Sequence, residues 1–111
     1  MDLQLQLDEQ VRLLQDSLDK LPKTGNDFAE AERDYKVILR KEVIKLREQG
    51  EAIGVISLIC YGIPSVAEAR FKRDVAQTIY EANQEAINTY KLKIRLIESQ
   101  IGREWNNESR R

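Results

Sequence analysis

The sequence predicts an all-α protein, and three observations carry that expectation. Apolar residues recur at alternating steps of three and four over most of the chain. Only two prolines and five glycines interrupt 111 residues. Charged residues make up 33% of the chain and interleave with a 41% hydrophobic fraction, as helices with one wet face require. The expected architecture is an antiparallel helical hairpin in an oligomeric bundle. Its parts are an N-terminal helical arm and linker (1–26), a helical hairpin domain (27–105) and a disordered tail (106–111).

The arm is read from Leu7, Val11, Leu14, Leu18 and Leu21, which step by four, three, four and three. Leu3 and Leu5 alternate with Gln and are expected to fray. Pro22 is expected to end this helix, with Lys23-Thr24-Gly25-Asn26 as a flexible joint. The arm packs either on its own chain or on another subunit, and the spacing does not choose.

The middle helix is expected to start near Asn26 or Asp27, with Asp27, Glu30 and Glu32 at its positive dipole end. Lys45 and Arg47 lie near its end and Gly50 suits a C-cap. Its apolar face is Phe28, Ala31, Tyr35, Ile38, Leu39, Val43 and Leu46. The stretch Ile53–Ile63 is apolar on nearly every side, and Val and Ile favour strands. No second strand candidate exists to pair with it, so a short buried helix is preferred.

Ser65-Val66-Ala67-Glu68 matches the capping-box pattern, and a long helix is expected from Val66 to about Trp105. Its seam is Ala76, Tyr80, Asn83, Ile87, Tyr90, Ile94, Ile97 and Ile101. The middle helix spans about 35 Å and the long one about 60 Å at the α-helical rise. The seam from Tyr80 to Ile101 therefore outlasts its partner and is expected to pack against another subunit. Asn83, the one polar residue in it, reads either as a register and oligomer-state selector or as a half-buried residue on a drifting seam.

Composition excludes several classes of function. With no histidine and only Cys60, zinc fingers, His-based metal centres and His-dependent triads cannot form. A lone cysteine makes no internal disulfide. No P-loop, E-x-x-H or D-x-D-x-D-G pattern occurs. Cys60, Ser57 and Ser65 lack a histidine partner, and carboxylate pairs such as Glu81 and Glu85 read as a solvated face. The chain is therefore expected to be no enzyme and to need no cofactor or metal.

The formal net charge is -1, which argues against a generally basic nucleic-acid binder. Residues 1–26 carry three basic and five acidic side chains, while residues 67–111 carry nine and seven. That asymmetry permits pairing of the two ends. The N-terminal segment lacks the basic-then-apolar order of a signal peptide. No apolar run approaches the roughly 20 residues of a bilayer span. A cytoplasmic location without membrane association is expected.

One stretch, Lys45–Arg73, has the order of a helix-turn-helix module, with Arg70, Lys72 and Arg73 as possible nucleic-acid contacts. Against it stand the apolar outer face of the first helix, Pro64 in the turn, and the length of the second helix.

Lys45-Leu46-Arg47-Glu48-Gln49-Gly50, Arg70-Phe71-Lys72-Arg73-Asp74-Val75-Ala76, the run Tyr80–Asn88 and Gln100-Ile101-Gly102-Arg103-Glu104-Trp105 together resemble small hypothetical proteins of temperate phages and prophages of Gram-positive bacteria. The resemblance covers about Ala31 to Trp105 and brings no catalytic motif. It implies a phage accessory protein, of a replication and recombination region or of a countermeasure to host defence, in the host cell cytoplasm.

Three functions follow from the sequence. The leading one is an oligomeric, dimeric or higher, helical adaptor or inhibitor of a protein partner. The others are nucleic-acid binding, through 45–73 or the basic C-terminal helix, and small-molecule sequestration between subunits by Tyr80, Asn83, Tyr90 and arginine side chains.

Overall fold

The computed structural model describes residues 2–109, apart from the Ser109 side chain. The described residues are all-α, without a strand. Helix α1 spans Leu3–Glu48, helix α2 spans Ile53–Ile59, a 3₁₀ turn occupies Cys60–Gly62, and helix α3 spans Pro64–Ser109. The long C-terminal helix is present as expected.

The start of α1 does not fray. Asp2 caps it, its Oδ1 accepting the N–H of Gln4 at 2.9 Å and of Leu5 at 3.3 Å. The expected stop at Pro22 is also absent, and the arm and middle helix are one continuous helix. A proline inside a helix removes one hydrogen bond and crowds the carbonyl four residues back, costing about 3 kcal/mol. Here Pro22 is exposed. Lys23 bridges to Asp27 at 2.7 Å on the turn that follows, and Arg12 joins Glu9 at 2.6 Å and Asp16 at 3.1 Å before it. Such contacts one turn apart support a helix locally, and packing against α3 supplies the rest.

The end of α1 matches the expectation from Gly50. Its φ is 87°, its N–H donates to the Arg47 carbonyl at 3.0 Å, and the Glu51 N–H donates to the Leu46 carbonyl at 3.1 Å. These two bonds make a Schellman motif. At the start of α3 the cap differs from the expected one. Pro64 is the first helical residue and extended Ile63 precedes it, with the Ala67 N–H donating to the Ile63 carbonyl at 2.9 Å. Proline fits the first helical position because its missing N–H would be unpaired there. Ser65 thus falls inside the first turn and Glu68 just beyond it, where Glu68 faces Lys72 at 3.9 Å. At the far end, residues 106–109 continue α3 rather than forming a tail, while Arg110 and Arg111 lie outside the described residues.

The chain divides into two compact units. One comprises residues 23–80: the second half of α1, the connector and the first part of α3. Its core is Tyr35, Val66 and Ala69, with Ile38, Leu39 and Ile63 packed against them. Val66 is fully buried. The α1 and α3 segments run antiparallel, since Phe28 meets Tyr80 at 5.9 Å between ring centroids while Tyr35 lies beneath Arg73. Gly25 lets the Tyr80 ring approach: a Cβ there would sit 3.2 Å from Tyr80 Cε1.

The other unit comprises the chain up to Pro22 and from Glu81 on. Its segments are also antiparallel, with the Asn83 side-chain amide donating to the Ser17 carbonyl at 2.9 Å. The half-buried positions of α1 here are Leu3, Gln6, Leu7, Gln10, Leu13, Leu14, Ser17 and Leu21. Val11 and Leu18, expected in this seam, are 48% and 38% exposed. Two lines share Leu7, Leu14 and Leu21, and hydrophobicity alone selects the wrong one. The small Ser17 lets Asn83 reach the backbone, so the register follows a polar contact.

Candidate protein-docking surface at the helix connector

The short connector is where sequence and structure part most. The stretch Ile53–Ile63 is expected as a short buried helix, yet only Ile56 and Cys60 are buried, at 5% and 3% exposure. These two lie four residues apart, on the single face that α2 and the start of the 3₁₀ turn present to their unit. A helix of seven residues has one such face, so its other apolar side chains point outward. Leu58 is 84% exposed and Ile53 70%, with Tyr61, Ile59 and Val55 between 41% and 47%. The Ser57 hydroxyl donates to the Ile53 carbonyl at 2.8 Å and so offers the surface little polarity.

Charge sharpens the contrast. From Ala52 to Ala67 there are 16 consecutive residues without Asp, Glu, Lys or Arg, in a chain that is 33% charged. Glu51 and Glu68 bound this run. Residues of both signs follow on α3, where Arg70 sits 5.6 Å over the Tyr61 ring. Phe71, Val75 and Ile79 add exposed apolar surface at helical spacing in the same unit, along a groove of about 220 Å³. Exposed apolar side chains are thus concentrated on the connector and on this stretch of α3. The charge-free run was visible in the sequence as the signal of this surface, but burial was the simpler reading of it.

The basic residues considered for nucleic acid are engaged within their unit. Arg73 lies 4.6 Å over the Tyr35 ring, hydrogen-bonds Asp74 at 2.8 Å and approaches Glu32 at 3.7 Å. The bond to Asp74 raises the pKa of Arg73, with Glu32 and Tyr35 adding to the effect. Arg70 is held over Tyr61, and Lys72 lies beside Glu68.

The seam residues also find partners on their own chain. Asn83, Ile87, Tyr90, Ile94, Ile97 and Ile101 face inward in the unit that contains the first 22 residues, and Ile87 is 6% exposed. Tyr80 packs on Phe28 and Gly25 in the other unit. The seam therefore does not outlast its partner. The arm continues α1 and covers the seam in cis, because Pro22 does not break the helix. Tyr80 and Asn83 are thus engaged within the chain, and Tyr90 is half-buried in the same unit as Asn83.

Cys60 is a buried free thiol. Among the described residues no group of three or more His, Cys, Asp or Glu is placed to hold a metal ion. Among them, too, no single helix is long and apolar enough to cross a membrane. No family model, curated protein or solved structure matches the chain.

Proposed function

We propose that this protein is a non-enzymatic helical adaptor or inhibitor that captures a protein partner with the outer face of α2. The observation that carries this reading is the exposure of Leu58 and Ile53 within a 16-residue charge-free run. Water-exposed aliphatic side chains of this density gain free energy only when covered, at about 25 cal/mol per Å². The resemblance to small phage proteins supports host defence or replication and recombination machinery as the partner class, with the host cytoplasm as the setting.

The test is site-specific photo-crosslinking in cells that make the protein. A photoreactive residue at position 58 is expected to yield one discrete protein adduct, and the same probe at exposed Val37 none. Ile53→Asp should abolish the adduct while the helical circular dichroism signal persists. Equal labelling from both positions would sink the reading. A mobility shift with DNA at low salt, lost on Arg70→Glu, would move the assignment to nucleic acid.

A further inference from the structure

The unit that joins the two chain ends carries a second surface, independent of the connector. A groove of about 640 Å³ runs between α1 and α3, and Leu5, Leu96 and Ile97 form its apolar part. Leu5 is 67% exposed and Leu96 60%. The α1 wall carries Asp2 and Glu9, and the α3 wall carries Lys93. Around Lys93 the sequence is one-signed: from Ala86 to Ile97 it holds Lys91, Lys93 and Arg95 and no carboxylate. Gln10 also lines the groove.

We propose that a second copy of this chain covers this groove in a twofold dimer, converting two helices into a four-helix bundle. Charge complementarity selects this occupant. A twofold axis brings the wall of Asp2 and Glu9 on one copy against the Lys93 wall of the other, and does so twice. One interface thereby satisfies both walls. Two helices alone leave Leu3, Leu7, Ile94, Ile97 and Ile101 only half-buried. A second layer of helices is the ordinary way to finish such a seam.

Sedimentation velocity of the full chain at tens of micromolar tests the proposal. The expected species has twice the chain mass of 12.9 kDa. Leu96→Glu should raise the dimer dissociation constant at least about tenfold, with helical circular dichroism retained. Leu58→Asp on the connector should leave the dimer intact, so failure here and failure of the connector reading are separate results. Should Leu96→Glu unfold the protein, the wall charges decide. Glu9→Lys and Lys93→Glu should each weaken the dimer, and the double variant should restore it. A monomer at these concentrations, or a dimer indifferent to Leu96 and to both charge reversals, overturns the proposal.

Discussion

Glycines in this chain illustrate how one residue type meets opposite demands. Gly50 adopts φ 87°, a conformation that costs an L-residue about 1–2 kcal/mol, so Gly50→Ala should destabilise by that order. Gly102 is helical with nothing within 4 Å of an added Cβ. Gly102→Ala should stabilise by up to about 1 kcal/mol. Gly25 lies against Tyr80, and Gly25→Leu should destabilise by about 1–3 kcal/mol through overpacking. Paired thermal melts of the three variants check both sign and order.

Glu9 supplies the residue-scale pH effect. Hydrogen bonding to Arg12 lowers its pKa, so its contribution is present above the ordinary glutamate value and is lost as pH falls through the lower folded value. Both side chains are open to solvent, and the effect is correspondingly small. The melting-temperature difference between wild type and Glu9→Gln should be positive near neutrality and vanish in acid. A difference that grows on acidification would contradict the assignment.

At the scale of elements, Pro22 separates propensity from packing. The local rule says that proline ends a helix, and the residue pattern Lys23-Thr24-Gly25-Asn26 reads as a joint. Yet α1 continues, because residues on both sides of Pro22 have partners on α3: Ser17 accepts from Asn83, and Gly25 receives Tyr80. Each of these contacts lies within its own unit. Helix stability in proteins comes mainly from such packing rather than from propensity. Pro22→Ala should therefore stabilise the protein, by up to about 3 kcal/mol, without raising helical circular dichroism. A marked rise in helicity would show that the wild-type helix is interrupted at this point.

The same competition explains the connector. Its hydrophobicity was legible, and so was its helical state. Its burial was not, because seven residues between two long helices can turn only one face inward. Ile56 and Cys60 take that face, and Leu58 and Ile53 are left outside.

At the scale of the molecule, the two units differ in how well they are filled. The residues 23–80 unit holds the buried Tyr35, Ile56, Cys60, Val66 and Ala69, whereas the terminal unit has Ile87. Local unfolding free energy follows buried apolar contact. At concentrations that keep the chain monomeric, amides near Tyr35 and Val66 should exchange with solvent more slowly than those from Leu3 to Leu21. Val66→Ala, at a fully buried site, should cost about 2 kcal/mol in the first unit. Uniform protection along both units would show that they open together.

What the sequence determined by itself is the helical character of the chain, the three-four seam of α3 from Tyr80 to Ile101, and the glycine cap at position 50. Each is set by interactions within a turn or two, where periodicity, φ preference and hydrogen-bond closure act on neighbouring residues. Tertiary structure alone decided the continuity of α1 through Pro22, the inward choice of Gln10 and Ser17 over Val11 and Leu18, the cis partner of the seam, and the exposure of the connector. Those outcomes turn on which surface a residue meets across space. Contacts such as Asn83 to Ser17, 66 residues apart, leave no periodic trace in the chain.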